Sequence, residues 1–107
     1  ELREIAAMAE TYFVGVAPHN YNSTSIGMAA TAHAAAAMPN FVITEYFVNL
    51  EEFGEDIAIN PFKVEDGYIQ VPDQPGIGIE LDEDKLAAYP YRPFDARSPR
   101  QYHEEGP

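Results

Sequence analysis

Two ionisable residues stand where chemistry is most easily delivered. His19 follows the apolar run Tyr12 to Ala17 and Pro18, and Glu45 interrupts the apolar run Phe41 to Val48. An imidazole changes charge near neutral pH and can take or give a proton. A carboxylate inside an apolar run must be paired, neutralised or turned toward an open cavity. The plain structural alternatives are an ion pair for Glu45 and a solvated loop position for His19. Between them, Asn20, Tyr21, Asn22, Ser23 and Thr24 offer amides and hydroxyls suited to a polyhydroxylated ligand. Each could equally serve the loop or cap a helix. Other candidates are weaker. His33 sits among alanines and reads as a packed histidine, and His103 lies in the tail. Asp82, Glu83 and Asp84 lack the glycine and ligand spacing of a calcium loop and read as a helix start. Gly76-Ile77-Gly78 lacks the third glycine of a dinucleotide loop.

The elements that would hold His19 and Glu45 can be read from periodicity. Leu2, Ile5, Ala9 and Tyr12 recur at helical spacing, predicting a helix that ends near Thr11 with those residues as its buried stripe. Tyr12 to Ala17 is continuously apolar and ends at Pro18, the pattern of a strand covered on both faces. A polar loop follows, in which Ser23, Thr24 or Ser25 could cap an alanine-rich helix from about Ser25 to Met38, stopped by Pro39 and Asn40. Phe41 to Val48 is the strongest strand in the chain. Strand, helix and strand in that order predict two parallel strands with a right-handed crossover. Functional groups on such sheets gather at the carboxy-terminal ends of the strands, so His19 and Glu45 would share one rim. Phe41, Ile43 and Glu45 would then lie on one face by alternation.

Beyond Asn49 the character changes. Residues 45–84 carry twelve acids and one lysine, most of the net charge of -12. Glu65, Asp66 and Gly67 predict the turn of a small hairpin between Phe62–Val64 and Tyr68–Val71. Asp82 can cap a short helix through Ala88, which Pro90 ends. The tail from Tyr91 to Pro107 shows no periodicity. The acidic balance argues against nucleic acid and anionic membrane surfaces as partners, and no apolar run is long enough to span a membrane. The absence of cysteine excludes disulfides and thiolate chemistry, and the expected location is cytoplasmic. Glu1 opens directly into a helical pattern, so the chain reads as a piece of something longer.

The string VAPHNYNSTSIGMAATAHAAAAMPNFVITEY resembles the end of the barrel in the enolase superfamily, mandelate racemase branch, among its sugar-acid dehydratases. In that family a PHN-like motif ends the seventh strand, an alanine-rich helix and an IPNF-like turn follow, and an EY pair sits on the eighth. Here these are Pro18-His19-Asn20, Met38-Pro39-Asn40-Phe41 and Glu45-Tyr46. Downstream, NPFKVEDGYIQVPDQPGIGIELDEDKL is similar to the segment that leaves the barrel and returns to the amino-terminal capping domain. The resemblance implies an α/β chain that is the carboxy-terminal fragment of a (β/α)8 barrel: the last two parallel strands plus the returning segment. Residues 1–49 would be barrel, 50–90 the post-barrel segment and 91–107 an extended tail.

The same resemblance implies that the whole protein is a magnesium-dependent dehydratase acting on a small acid sugar or other carboxylate. It would remove the proton next to the carboxylate and expel the β-hydroxyl through an ene-diolate, whose developing charge the metal neutralises. His19 would be the acid/base, Glu45 would position the substrate carboxylate and ene-diolate, and Asn20 and Asn22 would bind substrate. The metal ligands would lie upstream, the whole protein would be a homo-oligomer, and the isolated chain would be inactive. A racemase or cycloisomerase of the same superfamily, and a non-catalytic acidic binding or scaffold module, are the alternatives.

Overall fold

The computed structural model describes residues 1–21 and 23–93. Helix α1 spans Leu2–Thr11, but its inward stripe is Ala6, which is buried, with Leu2 and Ala9 half-buried beside it. The expected members Ile5 and Tyr12 are exposed. Phe13 turns the chain with φ 57°, and residues 14–18 then run beside residues 40–45 in parallel, as the intervening helix requires.

The two expected strands, Tyr12–Ala17 and Phe41–Val48, are corrected to extended segments joined by one bridge, Val16 opposite Phe41. Val16 N–H donates to Asn40 O at 2.9 Å and Val42 N–H to Val16 O at 3.0 Å, the regular parallel pattern. The next rung needs a donor at position 18, and proline has none. The Pro18 carbonyl accepts instead from Glu45 N–H at 3.2 Å, one residue past the Thr44 that a regular ladder would use. This slip ends the alternation that would have put Glu45 on one face with Phe41 and Ile43. Residues Val48–Leu50 then close into a 3-10 turn.

Helix α2, Ser25–Ala36, crosses between the two segments. Thr24 occupies its cap position, yet its side chain makes no capping hydrogen bond, contrary to expectation. Its inward face is Ser25, Met28, Ala29, Ala32 and Ala35. Small side chains let the helix lie close to its neighbours, and the core they build is slight: Ala6, Ala35 and Met38, with Leu2 and Val16 against them. The Asn40 amide adds a polar tie, its Nδ2 donating to Ala6 O and Val14 O, both at 2.9 Å. The other side of the paired segments is open, with Phe13 99% exposed and Val42 and Ile43 also exposed.

The acidic segment holds a helix that the sequence reading did not anticipate, α3 at Glu51–Ile57. The signal was present. Glu51 and Glu52 sit in its first turn, where acids complement the helix dipole, and Gly54 and Ile57 supply one buried face. The hairpin forms as expected from β1, Val64–Glu65, and β2, Tyr68–Ile69, with Val64 opposite Ile69 and Glu65 opposite Tyr68. Asp66 at φ 53° and Gly67 at φ 80° make its two-residue turn, the left-handed pair that a type I′ hairpin requires. Ala58 pairs antiparallel with Leu81. Helix α4, Glu83–Ala87, is capped by Asp82, whose carboxylate accepts from Lys85 N–H at 3.1 Å. It is latched to α3 through Asp56, which takes the Tyr89 hydroxyl at 2.8 Å and lies 3.3 Å from Lys85 Nζ. Among the described residues no helix is long and apolar enough to cross a membrane. The expected tail from residue 94 onward, His103 included, lies outside the described residues.

Candidate functional site at the rim of the paired segments

The two segments leave their bridge side by side, and the residues that follow it converge. His19 Nε2 lies 3.4 Å from Glu45 Oε2, with the histidine side chain 81% exposed and the carboxylate 38% exposed. The same Oε2 accepts the backbone N–H of Asn20 at 2.8 Å. A protonated His19 therefore forms an ion pair with Glu45, and a neutral one is still held beside it. The ring of Tyr21 lies 6.3 Å from that of His19 and 4.8 Å from that of Phe47, giving the rim an aromatic flank.

Asn20 behaves differently from its neighbours. It is only 4% exposed. Its Nδ2 donates to Thr44 Oγ1 at 2.8 Å, and its Oδ1 accepts from Thr31 Oγ1 at 2.9 Å and from Ser23 Oγ at 3.1 Å. The side chain expected to bind substrate thus makes three intramolecular bonds. Asn22, the other expected substrate contact, lies outside the described residues. Thr31 and Thr44 were not singled out as site residues. Thr44 gave a faint signal as a polar residue next to Glu45 in an apolar run, whereas Thr31 gave none beyond breaking a row of alanines.

The remaining candidates fall elsewhere. His33 Nε2 lies 3.2 Å from Ile77 O and packs α2 against the acidic segment, the structural role expected of it. Tyr46, next to Glu45, turns to the other side, donating its hydroxyl to Glu51 Oε1 at 3.0 Å and meeting the Phe62 ring edge-on. Burial foremost, and then the hydrogen bond and charge of Glu51, push its phenol up to about 12. A cavity beside it, lined by Ser23, Ser25, Tyr46 and Phe62, has a volume of about 20 Å³. That is room for about one water and no more, and neither His19 nor Glu45 lines it. No three His, Asp or Glu side chains gather into a metal-holding group among the described residues.

The helix-linked parallel pair thus brings an imidazole and a carboxylate together just past its bridge, on the carboxy-terminal rim where βα units carry their functional groups. The chain belongs to the enolase C-terminal domain-like family, whose profile matches residues 1–85. It is 39% identical over 93 residues to a D-galactonate dehydratase family member of Streptomyces bingchenggensis, covering 86% of this chain and 22% of that protein. It is 37% identical over 89 residues to the D-xylonate dehydratase of Haloferax volcanii, covering 83% of this chain and 21% of that enzyme. Among solved structures, a mandelate racemase/muconate lactonizing enzyme from Sulfitobacter sp. superposes with a TM-score of 0.79 at 34% identity, over 95% of this chain and 26% of that one. The chain thus spans about a fifth to a quarter of the length of these proteins.

Proposed function

We propose that this chain forms the carboxy-terminal part of a sugar-acid dehydratase: the last two parallel segments of its barrel and the stretch that returns toward a capping domain. The observation that carries the reading is the 3.4 Å approach of His19 to Glu45 on the rim. Its support is that proteins similar in sequence include a D-galactonate dehydratase family member and a D-xylonate dehydratase. His19 is the acid/base. As a base it takes the proton next to the substrate carboxylate, and as an acid it delivers a proton to the departing β-hydroxyl, which leaves as water. Glu45 holds the imidazole in place and keeps its protonated form paired. Both contacts described for Glu45 use Oε2, so Oε1 is the atom that can face substrate. Magnesium, if the whole protein uses it, is held by residues outside this chain, and no step assigned to His19 or Glu45 runs through it.

The test is dehydration of a panel of sugar acids by the whole protein. His19→Ala is expected to lower kcat by about 10²- to 10⁴-fold, the usual worth of a positioned acid or base, with Glu45→Gln also impaired. Unchanged turnover in His19→Ala on every accepted acid overturns the assignment. The likeness to a mandelate racemase/muconate lactonizing enzyme favours racemisation as the second reading. Exchange of the α-proton with solvent deuterium, without loss of the β-hydroxyl, would select it.

A further inference from the structure

Thr31 lies on α2 and has no described contact with His19 or Glu45, yet a directed series of hydrogen bonds runs from it to the rim. Its hydroxyl is 2.9 Å from Asn20 Oδ1; Asn20 Nδ2 donates to Thr44 Oγ1 at 2.8 Å; and Thr44 Oγ1 donates to Pro18 O at 3.2 Å. Thr31 donates to the Asn20 amide oxygen, the Asn20 amide nitrogen donates to Thr44, and Thr44 donates onward, so the direction of donation is the same throughout. The series ends at the Pro18 carbonyl, where the backbone ladder has slipped and the same oxygen also accepts from Glu45 N–H at 3.2 Å. Asn20 then passes the position on, because its own N–H donates to Glu45 Oε2 at 2.8 Å.

A threonine inside a helix needs no such partner. Thr31 Oγ1 also lies 3.0 Å from Gly27 O, the bond one turn back that satisfies a helical threonine by itself. A hydroxyl has one proton, so donation to Asn20 Oδ1 at 2.9 Å competes with the helical bond at 3.0 Å, and the shorter contact is the one that reaches out of the helix. From these contacts we infer that Thr31, acting through Asn20 and Thr44, is a positioning residue that sets Glu45, and through it His19, for the proposed reaction. The inference rests on the dehydratase reading. It assigns Asn20 a role through its place in the structure in addition to any contact with substrate.

Two measurements test it. In the whole dehydratase, Thr31→Val keeps the shape of the side chain and removes the donor. It is expected to lower kcat by about 10- to 100-fold, the range a small misplacement of a reacting group costs, with KM unchanged to within about two-fold and the melting temperature retained. Thr31→Ser is expected to restore kcat. In the 107-residue chain, amide hydrogen exchange at Asn20 is expected to accelerate by about 10-fold in Thr31→Val and to return to the parent rate in Thr31→Ser. Parent-like kcat in Thr31→Val, a parallel loss of kcat and melting temperature, or failure of serine to rescue overturns the inference. If His19→Ala proves fully active, the dehydratase reading fails first. Accelerated Asn20 exchange in Thr31→Val would then uphold only the structural part, and unchanged exchange would overturn that as well.

Discussion

The contact between Ser25 and Gly54 joins the start of α2 to the middle of α3, and its energetics can be worked in advance. Ser25 Oγ donates to Gly54 O at 2.8 Å in a buried setting. A methyl built on Gly54 would lie 2.7 Å from that oxygen. Gly54→Ala gains up to about 1 kcal/mol of helix propensity. It also forces the serine to rotate away, leaving a buried carbonyl unpaired at a cost of about 1–3 kcal/mol. The net expectation is a loss of about 1 kcal/mol. Ser25→Ala removes the same bond and should cost about 1–2 kcal/mol. Once Ser25 is alanine, the atoms of residue 25 that the added methyl meets are its backbone nitrogen at 3.9 Å and its Cβ at 4.0 Å, both ordinary contacts. Gly54→Ala should then stabilise by up to about 1 kcal/mol. The four proteins of the cycle are compared by amide hydrogen exchange in α2 and α3, which reads the opening free energy at each site. The expected coupling is about 1–3 kcal/mol, the double variant being more stable than the sum of the singles. Equal effects of Gly54→Ala in both backgrounds would refute the reasoning.

Three further outcomes can be checked. Followed by carbon NMR, the Tyr46 phenol should titrate near 12, and Glu51→Gln should bring it only part of the way down, because burial is the larger cause. Asp56 is held below its ordinary carboxylate range by hydrogen bonds from Tyr89 and Lys85, and the same bond with Asp56 raises Tyr89. The latch between α3 and α4 should therefore contribute above the ordinary carboxylate value of 3.8 and fade as acid protonates Asp56 below it; it should also fade once base ionises Tyr89 above 10.0. A Tyr89→Phe variant whose α4 helicity keeps the parent's acid dependence would contradict this. In the hairpin, Gly67→Ala should cost about 1 kcal/mol because of the left-handed backbone there. Unchanged exchange protection in β1 and β2 would count against the turn geometry.

The parts of the fold that were legible in the sequence are those set by local chemistry. Alanine content and the Pro39-Asn40 stop mark α2, Asp66-Gly67 marks the hairpin turn, and Asp82 marks the start of α4. The placement of His19 and Glu45 on one rim was legible because it needs only the order strand, helix, strand. What escaped depends on partners distant in the chain. The slip at Pro18 is invisible until residues 40–45 lie beside it, and the bonds of Asn20 to Thr31 and Thr44 span 11 and 24 positions. Helix α3 is hidden for another reason: acids dominate its composition, and the face it buries is only Gly54 and Ile57.

Pro18 also places stability and chemistry in opposition. A residue with an amide proton at this position would let the ladder continue by one more rung, and the two segments would bind each other more firmly. The price would be the register of Glu45, since a regular rung engages Thr44 and moves the carboxylate from its place opposite the imidazole. A stabilising substitution at this position is thus expected to be a disabling one, and selection for activity would keep the weaker pairing.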